Sequence, residues 1–162
     1  GSQGKGIFLI QNFEDLNSYF ESAVAQQYIS PYLVDGFKFD LRIYALVTSV
    51  DPLRIYIHEE GMARFCTEKY SPPTHSNLEN CYSHLTNFSL NKKNENFTDR
   101  SKRAKSEVFD QIKQSGTNID QIQKEIDDII RFTLISNQPN LAANYRTAIN
   151  CWDGKSRLFE IL

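Results

Sequence analysis

Residues 36–44, with the sequence Gly-Phe-Lys-Phe-Asp-Leu-Arg-Ile-Tyr, are the stretch that decides the fold. Apolar residues occupy every second position from Phe37 to Ala45, and Lys38, Asp40, Arg42 and Tyr44 lie between them. This alternation is typical of a β-strand with one buried face and one polar face. The apolar character continues to Val50, so the sequence predicts a strand over residues 37–50.

The polar face of this strand carries Lys38, Asp40 and Arg42. Residues two apart on a strand point to the same face at intervals of about 6.6 Å, so these three charged groups project toward one place. Two cations that flank a carboxylate suit a nucleotide site, because Lys and Arg neutralise phosphates and the acid takes up a hydroxyl or orients a cation. The alternative is the solvated outer face of an antiparallel sheet.

Further strands are predicted on both sides of this stretch. Asp51-Pro52 interrupts the pattern, and residues 53–57 alternate again, which predicts a hairpin. Glu60-Gly61 predicts a turn before another strand over residues 62–66. Toward the N-terminus we expect strands over residues 7–10 and 24–29, separated by a helix that begins after Asn12.

The C-terminal half is predicted to hold a long irregular region and a long helix. Residues 71–96 are rich in Pro, Ser, Asn and His without a sustained period, and loops of that length are uncommon unless they are functional. From Ile119 to Leu134 the apolar residues follow a helical stripe, which Gln138-Pro139 is expected to end. Residues 158–162 are predicted to form a central strand.

Composition places the chain among soluble, core-forming domains. The 162 residues are 40% hydrophobic and 23% charged, which excludes disordered, collagenous and membrane-spanning proteins. Three cysteines without a CxxC pair exclude a small disulfide scaffold and favour a reducing cytosolic setting. Because the chain opens on Gly1 and stops inside the apolar run that ends at Leu162, we expect a piece of a longer protein.

The net charge is balanced, but basic residues cluster in one segment. The formal net charge of −2 does not call for nucleic acid or an acidic membrane surface as a partner. The basic excess lies in residues 91–105, which we interpret either as a solvated polar loop or as a contact for an acidic partner. Its basic residues are Lys92, Lys93, Arg100, Lys102, Arg103 and Lys105.

The glycine-rich opening and the histidines limit the kinds of functional site that the sequence can hold. Residues 1–6 match neither the P-loop nor the dinucleotide fingerprint, so they form either an ordinary turn or a loop that covers phosphates with backbone N–H groups. The three histidines are scattered, and no Cys/His ligand spacing appears, which argues against a metal hydrolase. Nothing selects a nucleophilic Cys/His pair.

Four motifs, taken together, resemble the tubulin tyrosine ligase-like family, and within it the glutamylating branch. Their order and spacing make the resemblance specific, and the similarity extends over nearly the whole chain. The motifs are residues 36–44, residues 47–56 (Val-Thr-Ser-Val-Asp-Pro-Leu-Arg-Ile-Tyr), residues 59–65 (Glu-Glu-Gly-Met-Ala-Arg-Phe) and residues 84–87 (His-Leu-Thr-Asn).

The resemblance implies an α+β chain with part of an ATP-grasp fold, comprising pieces of the central and C-terminal lobes. A mixed or antiparallel sheet with flanking helices is expected, in a single domain over residues 1–162 that is truncated at both ends. ATP and Mg²⁺ are the implied cofactors. In the family the metal-holding carboxylates follow the strand at which this chain ends, so no metal ligand is expected in it, and the isolated segment is expected to be inactive.

The resemblance also assigns site residues. Arg42 and Arg64 are implied to be catalytic, because their cations would stabilise charge on the transferring phosphoryl group. Lys92, Lys93, Lys102 and Arg103 are hypothesised to contact the acidic C-terminal tail of tubulin. The implied ATP-binding residues are Gly4, Lys5, Gly6, Ile7, Gln26, Gln27, Tyr28, Ile29, Lys38, Asp40, His84, Leu85, Thr86 and Asn87.

The function expected from the resemblance is ATP-dependent ligation of glutamate to glutamate side chains of the tubulin tail through an acyl phosphate. Tubulin, microtubules and free glutamate are the expected partners, with no nucleic acid and no membrane. The expected location is the cytoplasm and the cytoskeleton, with the cilium or basal body as a further site. Glycine or tyrosine ligation and a non-catalytic tubulin-tail or microtubule-binding module remain alternatives.

Overall fold

The computed structural model of the chain describes residues 6–17 and 19–148 and the backbone of residues 160–161. The chain divides into two compact units, of which unit 1 comprises residues 1–41 and 63–103 and unit 2 comprises residues 42–62 and 104–162. In chain order, the elements are a 3-10 helix at Phe13–Leu16, β1 (Leu33–Val34), β2 (Phe37–Arg42), β3 (Ala45–Val50), β4 (Leu53–Ile57), β5 (Met62–Phe65), α1 (Cys81–His84), α2 (Phe88–Asn91), a 3-10 helix at Asp99–Ser101, β6 (Lys102–Ala104), α3 (Lys105–Gln114), α4 (Ile119–Ala148) and β7 (Glu160–Ile161).

Unit 1 is built on a four-stranded sheet in the order β1-β2-β5-β6. One terminal residue of each of β2, β5 and β6 is assigned to unit 2 instead. The hairpin between β1 and β2 turns through Asp35 and Gly36, whose φ angles are 55° and 82°. Two consecutive positive φ values are those of a type I′ turn, which Asp-Gly favours. The rings of Phe39 and Phe65 stack with their centres 5.2 Å apart.

Unit 2 contains a three-stranded sheet in the order β4-β3-β7. Strands β3 and β4 pair antiparallel around Asp51-Pro52, which confirms the predicted hairpin. On β3 the buried positions alternate as Ala45, Val47 and Ser49, and α4 packs against this hairpin. The backbone of β7 pairs antiparallel with β3, which makes β3 the central strand of the described sheet, while residues 158, 159 and 162 of the predicted last strand lie outside the described residues.

The strand predicted over residues 37–50 is wrong in its continuity. β2 ends at Arg42, β3 begins at Ala45, and the two strands belong to different sheets. The backbone carbonyl of Tyr44 still accepts a hydrogen bond from the His58 N–H at 2.9 Å. Alternation persists through the break, so the pattern alone does not reveal it.

The strands predicted over residues 7–10 and 24–29 are absent, and the first predicted helix is a short 3-10 turn. Ile7, Val24 and Ile29 are 48%, 94% and 75% exposed, so burial does not hold these apolar runs in place. A strand also needs a hydrogen-bonded neighbour, and the described part of the chain provides none for either run.

The long helix continues past the proline that was expected to end it. α4 reaches Ala148 and contains Pro139 in its interior, where proline removes one backbone hydrogen bond. The buried side of the helix nevertheless runs through this point, from Leu134 to Ala142 and Tyr145. Gln138 Nε2 donates to the Val50 carbonyl at 2.9 Å, so packing and hydrogen bonds on the β3–β4 hairpin outweigh the local penalty.

Two helical regions escaped the sequence analysis. The irregular region over residues 71–96 includes the one-turn helices α1 and α2, and α3 was not predicted at all. α3 buries Val108, Phe109 and Ile112 as a short amphipathic helix. No helix among the described residues combines the length and the apolar character that a membrane span needs.

Candidate nucleotide site and basic surface

Lys38 on β2 is the centre of a part-buried polar cluster in unit 1. Its amine donates to the backbone carbonyl of His84 at 2.7 Å and to the phenol oxygen of Tyr28 at 3.0 Å. The amine also lies 4.4 Å from the centre of the Tyr28 ring. Burial lowers the pKa of Lys38. A lysine ammonium has three N–H donors, so one remains for a ligand.

His84 fixes one side of this cluster without being exposed itself. The ring is 0% exposed, and the rings of Tyr28 and Tyr70 meet it in edge-on contacts at 6.0 Å and 5.9 Å. Nδ1 lies 3.5 Å from the Tyr28 hydroxyl, while Nε2 is buried without a hydrogen-bond partner among the described residues. Burial, followed by the charge of Lys38, lowers the pKa of the ring. The ring is therefore neutral at neutral pH.

Arg64 on β5 and Asp40 on β2 form a bidentate ion pair. Arg64 Nε donates to Asp40 Oδ1 at 2.9 Å, and a terminal nitrogen donates to Oδ2 at 2.6 Å. The side chains are 17% and 32% exposed, so the pair is only partly screened by water. Because the carboxylate holds the plane of the guanidinium, the remaining N–H groups are aimed in fixed directions, as binding of phosphate or carboxylate requires.

The structure brings together only part of the predicted site. Within unit 1, Lys38 contacts Tyr28 and His84, and Arg64 contacts Asp40. Arg42, at the end of β2, is exposed and belongs to unit 2. Gly4 and Lys5 lie outside the described residues, whereas Gly6, Ile7, Gln26, Gln27 and Ile29 are exposed and do not join the hydrogen-bonded cluster.

Leu85, Thr86 and Asn87 follow His84 as a half-buried loop, and Asn91 holds this loop in place. Asn91 Oδ1 accepts from the backbone N–H and the hydroxyl of Thr67, both at 2.9 Å. Its Nδ2 donates to the carbonyls of Leu85 and Asn87 at 2.7 and 3.1 Å. The residue is 1% exposed, so the sequence analysis missed a buried amide that joins the loop to the segment after β5.

Metal and thiol chemistry find no support in this cluster. Within the described residues, no group of three His, Cys, Asp or Glu side chains could hold a metal ion. Burial raises the pKa of Cys66 to about 12, which keeps its thiol protonated and makes it a poor nucleophile. The cluster instead offers nitrogen donors, which fit the phosphates of a nucleotide.

The basic segment forms a surface around Phe88, the first residue of α2. The amines of Lys102 and Lys92 lie 3.6 Å and 5.7 Å from the centre of the Phe88 ring, and Lys93 is exposed nearby in sequence. Arg103 is different, because its side chain is 11% exposed, stacks 4.2 Å from the Phe65 ring and pairs with Asp35 at 3.7 Å. An acidic ligand would compete with Asp35 for Arg103.

Comparison with known proteins gives one consistent result. The sequence profile of the tubulin-tyrosine ligase family matches residues 1–155. The chain is 45% identical to human tubulin polyglutamylase TTLL6 over 167 residues, covering 100% of the chain and 19% of that protein. Human tubulin polyglutamylase TTLL13 is 45% identical over 169 residues, with 100% of the chain and 21% of the relative covered. A probable beta-tubulin polyglutamylase of Tetrahymena thermophila is 41% identical over 170 residues, with 99% and 14% covered. The chain thus spans about a fifth or less of the length of these relatives.

Proposed function

This chain belongs to the tubulin-tyrosine ligase family, and we propose that its protein is an ATP-dependent ligase that joins glutamate to glutamate side chains of the tubulin C-terminal tail. The observation that carries the proposal is the similarity, over the whole chain, to relatives that are named tubulin polyglutamylases. The polar cluster around Lys38 supports it, because ligation driven by ATP needs fixed cations beside the transferring phosphoryl group.

The fold proposed for the complete catalytic domain is the ATP-grasp fold. Residues 1–162 form part of that domain, which extends beyond them in both directions. The mixed α+β character of the chain, with antiparallel pairing in β1–β2 and β3–β4, supports this assignment.

In the proposed nucleotide site, Lys38 and Arg64 hold the phosphates, and Asp40 orients Arg64. The segment from Gln26 to Ile29 lines the adenine, with Tyr28 as its half-buried aromatic member. Residues 4–7 cover the phosphates, and the loop over residues 84–87 closes the site. Bound ATP would phosphorylate a carboxylate with release of ADP, and the amine of the incoming glutamate would then displace inorganic phosphate from the acyl phosphate to form the amide bond. Magnesium is proposed to be held outside the described residues.

Arg42 and Arg64 are proposed to act catalytically through their charge. In the transition state, negative charge is spread over the oxygens of the transferring phosphoryl group. Guanidinium groups held in fixed positions beside these oxygens stabilise that charge. For Arg64, the bidentate contact with Asp40 supports this role, because the guanidinium needs little reorganisation when charge develops.

The basic surface is proposed to bind the acidic tubulin tail. Lys92, Lys93 and Lys102 are exposed, which supports direct contact with carboxylates. Arg103 contributes once a tail carboxylate displaces Asp35. Because exposed charges are screened by salt, tail affinity is expected to fall as ionic strength rises. The proposed location follows from the substrate and comprises the cytoplasm and the cytoskeleton, including the cilium or basal body.

The test is to incubate the full-length protein with ATP, Mg²⁺, tubulin and one labelled amino acid at a time, which is glutamate, glycine or tyrosine. We expect glutamate to enter tubulin only when ATP is present. Incorporation of glycine or tyrosine in place of glutamate would assign the protein to another specificity within the family. Tubulin binding without incorporation of any amino acid would instead favour a non-catalytic binding module.

A further inference from the structure

We propose that Phe88 organises Lys92 and Lys102 into a receptor for two carboxylates of an acidic peptide, so that an uncharged residue sets affinity for a charged ligand. The inference rests on the proposed function, because it names how the basic surface recognises its substrate. It deepens that function by assigning the recognition to an aromatic platform rather than to the lysines alone.

The platform is rigid. Phe88 begins α2, and the same helix ends at Asn91, whose buried amide makes four hydrogen bonds to Thr67, Leu85 and Asn87. The ring of Phe97 meets the Phe88 ring at 5.6 Å in an edge-on contact. The Phe88 ring is therefore held both by its helix and by a neighbouring aromatic ring, while 37% of the residue stays exposed.

Both lysine amines lie within the distance at which a cation is attracted to an aromatic face, about 6 Å from the ring centre. Lys102 lies well inside this limit at 3.6 Å, and Lys92 lies near it at 5.7 Å. Within the described part of the chain, neither amine has an ion-pair partner. Two cations thus lie beside one ring.

Charge favours an acidic peptide as the occupant. The chain as a whole carries a formal net charge of −2, whereas Lys92 and Lys102 place two positive charges beside this one ring. Two carboxylates would give each amine an ion-pair partner of its own. Adjacent glutamate side chains of one peptide would satisfy both, which makes a run of glutamates the ligand that fits this arrangement.

The ring contributes by ordering the lysines before the ligand arrives. An exposed lysine loses side-chain freedom when it binds, and this loss weakens binding. Side chains that already rest on an aromatic ring lose less, and the amines keep their N–H donors available for carboxylates. Removal of the ring should therefore weaken binding, although it removes no charge.

The experiment compares the full-length wild-type protein with Phe88→Leu and Phe88→Tyr, using fluorescence anisotropy with a labelled oligoglutamate peptide over a range of salt concentrations. Phe88→Tyr keeps the ring and serves as the matched control. We expect Phe88→Leu to raise Kd about threefold to tenfold, as the lost ordering of two lysines implies. The dependence of Kd on salt should stay unchanged, and Phe88→Tyr should bind like wild type.

A double-mutant cycle guards against a merely structural effect. In a background with both Lys92→Gln and Lys102→Gln, the same Phe88→Leu substitution should no longer change Kd. The proposal is overturned if Phe88→Leu binds as tightly as wild type, if Phe88→Tyr is as weak as Phe88→Leu, or if the effect persists without the lysines.

Failure of this inference can be told apart from failure of the proposed function. A wild-type protein that ligates glutamate but does not bind the peptide through this surface would overturn the inference alone. A protein that binds the peptide with the expected Phe88 dependence but does not ligate any amino acid would overturn the proposed ligase activity and leave the inference standing.

Discussion

Asn91 shows how much of the site depends on a single uncharged residue. Every polar atom of its side chain is used, in bonds to Thr67, Leu85 and Asn87. Asn91→Leu keeps the number of side-chain heavy atoms but removes the partner of the buried Thr67 N–H and of the Leu85 carbonyl, so we expect the local free energy of opening to fall by about 3 kcal/mol. Amide hydrogen exchange of residues 85–91 in the full-length protein measures it. Unchanged exchange would show that the loop does not depend on Asn91.

His84 makes the same cluster sensitive to acid. Its pKa lies below the ordinary value of 6.5 in the folded protein, so the unfolded chain binds more protons in the window below pH 6.5. The stability that neutral His84 contributes is therefore present above this window and is lost as pH falls through it.

We expect the local stability of residues 82–86 to decrease between about pH 7 and pH 5, a window set by the ordinary pKa of histidine. In His84→Gln this decrease should be much smaller, because the titrating ring is gone. Hydrogen exchange at several pH values measures both proteins. An equal pH dependence in the two would assign the effect to another group.

For single residues, the sequence predicted the strand on which a side chain lies but not the side chains that it contacts. The alternation around Lys38 and Asp40 correctly placed both on β2, because a period of two needs no tertiary information. That Asp40 would clamp Arg64, 24 residues away, depends on which strands become neighbours. The burial of His84 and Asn91 likewise depends on loop packing, for which no local pattern exists.

Among the elements, the turn between β4 and β5 is closely constrained. A Cβ atom on Gly61 would lie 2.4 Å from the backbone carbonyl oxygen of Arg42, a contact that backbone cannot easily relieve. Glu60 adds three hydrogen bonds, from the Gly61 N–H and from the N–H and hydroxyl of Ser106 at the start of α3. These contacts lower the pKa of Glu60 to about 2, so the carboxylate stays ionised at physiological pH.

We expect Gly61→Ala to destabilise unit 2 by about 1–3 kcal/mol, as overpacking usually does. Glu59→Ala, at an exposed neighbouring position, is the matched control and should have little effect. The free energy of unfolding of each variant is measured by hydrogen exchange of the α3 amides. If Gly61→Ala is as stable as the control, the close approach to Arg42 does not constrain the turn.

Pro139 offers the opposite case, in which a substitution should improve the fold. Pro139→Ala restores a backbone hydrogen bond inside α4 and should stabilise the helix by about 1–3 kcal/mol. Asn140→Ala, at the adjacent exposed position, controls for helix propensity alone. Slower amide exchange over residues 135–142 would match the expectation, whereas faster exchange would mean that proline is required there.

Elements were predictable where local pattern and packing agree. The β3–β4 hairpin and β5 follow from alternation and turn residues. The Asp35-Gly36 pair also favours a hairpin turn, although no hairpin was predicted there. Residues 7–10 and 24–29 looked like strands because apolar runs do not reveal whether a partner strand exists, and α4 outlasted Pro139 because its buried side continues.

For the molecule as a whole, the chain spans about a fifth of the length of its human polyglutamylase relatives. The family assignment predicted from four motifs is confirmed by the profile match over residues 1–155 and by the polyglutamylase relatives. The ATP-grasp fold and the ligase activity stay proposals, and their most specific structural support is the cation that Asp40 holds in place on β5.

The most direct test of the account measures glutamate incorporation into tubulin by the full-length protein and by Arg64→Gln, with Arg54→Gln as an exposed arginine control on β4. We predict ATP-dependent incorporation by wild type and Arg54→Gln. For Arg64→Gln, kcat/KM should fall by about 100-fold or more, as the loss of a preorganised charge-stabilising donor implies. The proposed role of Arg64 would be contradicted if Arg64→Gln incorporated glutamate as well as wild type. The proposed ligase activity would be contradicted if none of the three proteins incorporated glutamate in the presence of ATP.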